Sequence, residues 1–200
     1  MLIVLTGIDG SGKTTAARAL ASAALAEGRE ALLLSNYAGR RRMSLLSARL
    51  GVRLPPRLAD AVESTIRSVN VLVSHARASR FQGLVVMDRH LQCQLALRGA
   101  KGLPRGRALP WLLRKLPAPD VVIHLDIDPQ QAHDRIVARG MDEESLADLT
   151  ALRDAYRALP EFTGFTVVDA GAPEQHVLAD LRRTLAEAEK ALISGARLKV

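Results

Sequence analysis

Short apolar runs alternate with longer segments of helical spacing along most of the chain. Each run holds four or five residues, and the alternation predicts buried parallel strands that are covered by helices on both faces of one sheet. In such α/β sheets, ligands bind at the carboxyl ends of the strands. The predicted strands are Leu2–Leu5, Ala31–Leu34, Leu84–Met87, Val121–Leu125 and Phe165–Val168.

The segments between these runs are predicted helices. Asp128 is expected to cap the helix that starts at Pro129, since a short acceptor side chain before proline is typical of a helix start. No repeat or interdomain linker interrupts the pattern, so residues 1–200 are predicted to form one domain. The predicted helices are Ser11–Ala26, Met43–Leu50, Leu58–Arg80, Leu91–Leu97, Leu109–Leu116, Pro129–Arg139, Leu146–Leu159 and Pro173–Ile193.

A glycine-rich segment joins the first predicted strand to the first predicted helix. It matches the P-loop pattern in full, and a chance glycine-rich turn would lack this strand-turn-helix context. Its backbone N–H groups are expected to hold phosphates, with Lys13 on the β- and γ-phosphates and the Thr14 hydroxyl on Mg²⁺. The predicted ATP-binding residues here are Gly7, Asp9, Gly10, Ser11, Gly12, Lys13, Thr14 and Thr15.

Phosphoryl transfer also needs a carboxylate near the hydrated metal ion, and two strand ends offer one. Asp88 and Asp126 each follow a buried strand, and either could instead cap the next helix. We favour Asp88, because Arg89 follows it directly and can neutralise a transferring or accepting phosphate. Thr14 and Asp88 are therefore the predicted metal-binding residues.

Composition narrows the class of partner. The net charge is +7, which suits anionic partners, but aromatic residues make up only 3% of the chain. Nucleic acid is therefore not the expected partner, because few side chains are present for base stacking. The single cysteine, Cys93, predicts no disulfide. No apolar stretch is long enough to span a bilayer and no secretory leader is visible, so the cytoplasm is the expected compartment.

The ordered set of motifs resembles the thymidylate kinase family of nucleoside monophosphate kinases. The P-loop alone is shared by a whole superfamily, whereas this set spans nearly the whole chain in the right order. The matching segments are Gly7-Ile8-Asp9-Gly10-Ser11-Gly12-Lys13-Thr14-Thr15; Asp88-Arg89-His90; Pro119-Asp120 with Leu125-Asp126-Ile127-Asp128-Pro129, Arg135 and Arg139-Gly140; and Val168-Asp169-Ala170 with Pro173-Glu174.

The resemblance implies a P-loop fold of three α/β/α layers, with a five-stranded parallel sheet of order 2-3-1-4-5 and a lid at about 139–147. It implies ATP as donor, Mg²⁺ as metal and a phosphorylated small molecule as acceptor. Lys13, Arg89 and Asp9 would be catalytic, and Arg135 and Arg139 would join the ATP site. The acceptor-binding residues that the resemblance implies are Asp9, Tyr37, Arg40, Arg67, Arg89 and Arg98.

The acceptor pocket departs from the family pattern. Glu63 stands where the family has a phenylalanine that stacks on thymine, and Arg98 stands where it has a base-reading glutamine. We therefore expect thymidylate not to be a strongly preferred acceptor. Glu63 and Arg98 would either pair with each other or bind a more polar acceptor; alternatively, the helix aligns one turn away, and Tyr37 or Phe81 fills the pocket.

Three functions remain open from the sequence. The first is ATP-dependent phosphorylation of a nucleoside monophosphate, with thymidylate as one candidate. The second is phosphorylation of another small acceptor on the same core, and the third is a nucleotide-binding regulatory ATPase. A GTPase switch is excluded, because no guanine-binding Asn-Lys-x-Asp segment occurs. The sequence leaves the oligomeric state open and allows a homodimer.

Overall fold

The computed structural model describes residues 1–37, 55–140 and 144–195. The predicted helix at Met43–Leu50 and the predicted site residue Arg40 lie outside these ranges, as do residues 141–143 of the predicted lid. The prediction of a single domain over residues 1–200 stays a prediction. Within the described residues, no helix combines the length and the apolar character needed to cross a membrane.

Five parallel strands form one sheet in the order β2-β3-β1-β4-β5, which confirms the predicted fold class. The central strand β1 pairs with β3 on one side and with β4 on the other, so Leu5 lies beside both Asp88 and Ile123. Because all strands run the same way, their carboxyl ends share one edge. The strands are β1 Leu2–Thr6, β2 Ala31–Ser35, β3 Leu84–Asp88, β4 Val121–Asp126 and β5 Thr166–Asp169.

Seven α-helices and one 3₁₀ helix occur in the described residues. Their starts follow local chemistry: the Asp128 carboxylate accepts from the N–H groups of Gln130 and Gln131, which confirms the predicted cap, and Ser145 caps the next helix. The helices are α1 Lys13–Ala26, α2 Pro56–Ala78, α3 Leu91–Ala100, α4 Ala108–Lys115, α5 Pro129–Arg139, α6 Leu146–Arg157 and α7 Glu174–Ile193, with the 3₁₀ helix at Pro160–Gly164.

The core lies on both faces of the sheet, because successive residues of a strand point to opposite sides. Ile3 and Leu5 of β1 belong to one buried cluster, which also contains residues of α1, α3, α6 and α7. Val4, between them, belongs to a second cluster with Met87. Burial on both faces explains why these strands are continuous apolar runs rather than alternating ones. The phosphate loop thus follows the central strand of the sheet.

Phe81 packs against the second cluster rather than at the carboxyl edge of the sheet. The hypothesis that Phe81 fills the acceptor pocket is therefore wrong. Tyr37, which follows β2, is about half exposed.

Candidate active site

The phosphate loop follows β1 and curls back before α1 begins. Gly7, Gly10 and Gly12 have φ angles of 137°, 83° and 84°, which side chains with a Cβ rarely adopt. A Cβ on Gly7 would lie 2.6 Å from the carbonyl oxygen of Leu125, and one on Gly10 would lie 2.5 Å from that of Ala132. Glycine is therefore required at both positions, since the loop backbone packs directly on β4 and α5.

Lys13 is the first residue of α1, and only 4% of it is exposed. Its Nζ donates to the carbonyl oxygen of Ile8 at 2.5 Å and lies 3.5 Å from Asp9 Oδ1. The side chain of Lys13 folds back from the start of the helix over the loop, which buries it. Burial, followed by the charge of Arg89, lowers the pKa of Lys13. The ammonium group is thus held at the mouth of the loop.

Thr14 and Asp88 meet at the carboxyl ends of β1 and β3. The Thr14 hydroxyl donates to Asp88 Oδ2 at 2.6 Å. Asp88 is fully buried, and its Oδ1 has no hydrogen-bond partner among the described residues. A hydroxyl and a buried carboxylate with an unused oxygen are hard oxygen ligands of the kind that Mg²⁺ takes alongside substrate phosphates. The pair therefore fits the metal that the fold implies.

No group of three or more His, Cys, Asp and Glu side chains in the described part of the chain is arranged to hold a metal ion. A metal here would accordingly take most of its ligands from phosphate and water, as Mg²⁺ does in nucleotide sites.

Arg89 follows Asp88 with a φ of 75°, and it is the one non-glycine residue in the described ranges with a positive φ. This backbone turns its guanidinium toward the phosphate loop, where Nη2 donates to Asp9 Oδ1. Burial works against the charge, but the neighbouring Asp9 carboxylate outweighs it and raises the pKa of Arg89. Asp9 thus lies between two cations, Lys13 and Arg89.

Asp126, the other candidate metal ligand, is already committed to two arginines. Arg153 forms a bidentate pair with it at 2.8 Å for each bond, and Arg157 donates at 2.7 Å. Partial burial would raise the pKa of Asp126, but these hydrogen bonds lower it to about 2. The pairing ties β4 to α6 and leaves Asp88 as the carboxylate with free coordination capacity.

A chain of buried polar groups extends from this site between α2 and α3. Arg67, 3% exposed, donates through Nε to Gln94 Oε1 at 3.0 Å and through Nη1 to the carbonyl oxygen of Asn36 at 2.9 Å. Gln94 in turn donates to Asp60 at 3.3 Å, and Asp60 pairs with Arg98 at 3.3 Å. Arg67 and Arg98 therefore belong to one connected network.

Four of the charged groups beyond Gln94 form what we call the charged wall: Asp60, Glu63, Arg98 and Lys101. The carboxylate of Glu63, a residue only 4% exposed, pairs with Lys101 at 3.4 Å. The hypothesis that Glu63 pairs with Arg98 is therefore wrong, since each has a different partner. No aromatic side chain takes part in these pairs.

Three further predicted site residues lie outside this network. Arg135 donates to the carbonyl oxygen of Ala170, so it stands beside the loop that follows β5. Arg139 ends α5 and is exposed, and Thr15 is exposed on the first turn of α1.

Asn36 and Gln94 were missed by the sequence interpretation. Asn36 follows β2 as Asp88 ends β3, and a polar residue at a third strand end was the available indication. Gln94 lies on α3 six residues after Asp88, but spacing alone does not distinguish it from Gln92.

The chain was compared with known proteins. The thymidylate kinase family profile matches residues 5–181. The thymidylate kinase of Xanthomonas euvesicatoria pv. vesicatoria is 32% identical over 98% of this chain and 87% of its own length. A probable thymidylate kinase of Pyrobaculum aerophilum is 30% identical over 90% of this chain and 93% of its own length. With its P-loop, sheet order and strand-end residues in place, this chain belongs to the thymidylate kinase family.

Proposed function

We propose that this chain is a nucleoside monophosphate kinase that uses ATP as donor and Mg²⁺ as metal. The contact between Thr14 and Asp88 carries the proposal: a P-loop hydroxyl and a buried carboxylate lie 2.6 Å apart, beside the Lys13 ammonium. Mg²⁺, when bound there, would neutralise charge on the transferring phosphoryl group. Membership in the thymidylate kinase family supports the same reaction class.

In this proposal each cation of the site holds one phosphate in place. Lys13 would leave the Ile8 carbonyl and donate to the β- and γ-phosphates of ATP. Arg89 and Arg67 would bind the accepting phosphate, and Asp9 would orient Arg89 toward it. Catalysis would then come from positioning and charge stabilisation, which dominate phosphoryl transfer.

Thymidylate is the first acceptor to test, because the relatives at about a third identity are named thymidylate kinases. The charged wall favours a second candidate, another nucleoside monophosphate with a more polar base. Stacking of a base on an aromatic side chain contributes about 1–3 kcal/mol of binding free energy. The charged wall contains no aromatic side chain on which thymine could stack. We therefore expect the preference for thymidylate to be less than about a hundredfold in kcat/KM.

A steady-state assay with ATP, Mg²⁺ and a panel of nucleoside monophosphates tests the function. Transfer to at least one monophosphate is expected, and ATP hydrolysis without any acceptor should be slow. ATP turnover that no monophosphate stimulates would contradict the kinase proposal and favour a regulatory ATPase. A preference for thymidylate of a hundredfold or more would contradict only the proposal about the charged wall.

The metal site is tested with Asp88→Asn. We expect this variant to need a higher Mg²⁺ concentration for half-maximal turnover, because an amide is a weaker ligand than a carboxylate. Asp134→Asn, on the exposed surface of α5, is the matched control and should leave the Mg²⁺ dependence unchanged. An unchanged Mg²⁺ dependence in Asp88→Asn would exclude Asp88 as a metal-binding residue.

A homodimer and a cytoplasmic location stay proposals. Val69, Leu72 and Val73 share one face of α2 and are about half exposed, which supports a self-associating surface. Light scattering coupled to size exclusion measures the mass directly, and a monomer at assay concentration would contradict the dimer. The cytoplasm is proposed because free nucleotides are the substrates.

A further inference from the structure

Asn36 is a fully buried residue that directly follows β2, and every polar group it carries is used. Its N–H donates to the carbonyl oxygen of Asp88 at 3.0 Å, and its carbonyl oxygen accepts from Arg67 at 2.9 Å. Its side-chain Nδ2 donates to the carbonyl oxygen of Arg89 at 2.8 Å, and Oδ1 accepts from the Ser74 hydroxyl at 2.7 Å. One residue thus contacts both arginines of the proposed acceptor site, Arg89 through its side chain and Arg67 through its main-chain carbonyl.

The orientation of the Asn36 amide follows from its partners. The Arg89 carbonyl can only accept, so the NH₂ group must face it, and Oδ1 must then face Ser74, whose hydroxyl donates. Ser74 lies on α2, the helix that also carries Arg67. The amide is therefore held by α2 and in turn holds the backbone that follows β3.

That backbone is the one that needs support. Arg89 has a φ of 75°, a left-handed conformation that is unfavourable for a residue with a Cβ. Such a conformation persists where its surroundings impose it. Two hydrogen bonds bracket this residue: Arg89 N–H donates to the Leu5 carbonyl at 3.0 Å, and the Arg89 carbonyl accepts from Asn36.

We propose that Asn36, oriented by Ser74, is a positioning residue that fixes Arg89 and Arg67 relative to each other for binding the accepting phosphate. The inference rests on the proposed function, since it assigns Asn36 to the acceptor side of that reaction. Asn36 reaches Arg89 through the carbonyl that follows its strained φ, and it reaches Arg67 through its own carbonyl. The main-chain contacts of Asn36 to Asp88 and Arg67 remain in an alanine variant, which loses only the side-chain contacts to Arg89 and Ser74. Neither of these side-chain contacts is made to the phosphate loop, so we expect their loss to affect the acceptor side more than the ATP side.

Kinetics of three variants test the inference. Asn36→Ala should lower kcat/KM for the nucleoside monophosphate by about 10- to 100-fold, the size of effect that misplaced binding groups produce, while KM for ATP changes less than about twofold. Ser74→Ala should lower it by a smaller factor, because it releases only the amide orientation. Ser68→Ala is the control and should match the wild type, because the Ser68 hydroxyl donates to the Ser64 carbonyl of the same helix and to no other group in the described residues.

A double-variant cycle separates positioning from general destabilisation. If Asn36 acts through Arg89, the loss caused by Asn36→Ala should be at least about fivefold smaller in an Arg89→Ala background. Equal losses in both backgrounds, equal effects on KM for ATP and for the acceptor, or wild-type kinetics in Asn36→Ala would each overturn the inference. If Asn36→Ala does not fold, Ser74→Ala with the same cycle decides.

The positioning role of Asn36 can be tested even if the proposed function is wrong. If the wild-type chain transfers phosphate to no nucleoside monophosphate, inorganic phosphate becomes the probe, and its affinity is measured by calorimetry. Weaker phosphate binding by Asn36→Ala than by Ser68→Ala would support the positioning role. Equal binding by the two variants, or no binding by the wild-type chain, would overturn it.

Discussion

Acidification should weaken the fold, because two histidines stay neutral inside it. Burial, followed by the nearby His75, lowers the pKa of His90 from 6.5 to about 3. Burial also lowers the pKa of His124 from 6.5 to about 4, against the opposing effect of Asp126. Below about pH 6.5, each of these histidines takes up a proton in the unfolded chain but not in the folded one. The unfolded state therefore binds more protons, and stability falls as pH falls.

The size of this effect follows from the linkage between proton binding and folding. One proton bound only by the unfolded chain lowers the free energy of unfolding by about 1.4 kcal/mol for each unit by which the pH falls. Between about pH 7 and about pH 5, each of the two histidines should lower the free energy of unfolding by about 2 kcal/mol. Asp126 does not contribute in this window, since its stabilising effect is lost only as pH falls from 3.8 toward about 2.

His124→Phe isolates one of the two contributions. The His124 ring packs 4.9 Å from Tyr156 and 5.2 Å from Phe162, centroid to centroid, and its buried Nε2 has no hydrogen-bond partner in the described part of the chain. Phenylalanine therefore suits the site, and Thr6, which loses the ring nitrogen, still donates to the Ile123 carbonyl. Between pH 7 and pH 5, the free energy of unfolding of the variant should fall by about 2 kcal/mol less than that of the wild type.

Urea denaturation followed by circular dichroism at several pH values measures this difference. His176→Gln, at an exposed position of α7, is the matched control and should keep the wild-type pH dependence. If His124→Phe and the wild type lose the same stability on acidification, His124 is not neutral in the folded chain and the reasoning fails. Free energies of unfolding would be compared only at pH values where the transition is two-state.

Three further predictions concern the proposed site. Lys13→Ala should raise the activation free energy of turnover by at least the roughly 1.5–3 kcal/mol of one charge-assisted hydrogen bond, and it should leave the circular dichroism spectrum unchanged. Near wild-type turnover would contradict the role of Lys13. Arg89→Ala should lower kcat/KM for the acceptor at least about tenfold without weakening ATP binding, measured by calorimetry, and an equal loss in ATP affinity would place Arg89 on the donor side. Gly10→Ala should destabilise the chain more than Gly12→Ala in urea, because both have φ near 83° but only the former meets a carbonyl oxygen at 2.5 Å; equal losses would contradict the clash.

The strands were predictable because each is a short run of mostly apolar residues, and the three central strands are buried on both faces. The edge strands β2 and β5 are more exposed but keep the apolar run. The sequence also predicted that Thr14 and Asp88 would meet, since both follow parallel strands whose ends share an edge. The burial of their neighbour Lys13 was not predictable, because it depends on the side chain folding back over the loop to contact Ile8 and Asp9.

The side-chain pairs between α2 and α3 were not predictable. Helical spacing places Glu63 and Arg98 on helices, but it does not say how far one helix is displaced along the other. That displacement decides whether Glu63 meets Arg98 or Lys101. Asn36 was missed for a related reason, since its four partners come from two separate segments of the chain, the end of β3 and α2.

The two halves of the proposed site therefore differ in how the chain encodes them. The donor half is one contiguous loop, so a single motif predicts it and a single substitution such as Gly10→Ala is enough to disturb it. The acceptor half is assembled from the end of β2, from α2 and from the start of α3, and it separates into two layers. Asn36 holds the arginines proposed to bind phosphate, which any nucleoside monophosphate carries. The charged wall lies beyond Gln94 and touches neither Asn36 nor the phosphate loop through any of its ion pairs. Asp60 is linked through Gln94 to Arg67, whereas Glu63 pairs with Lys101. We therefore expect substitutions of Glu63 or Lys101, rather than of Asp60, to change which base is accepted while the phosphate-binding arginines stay in place.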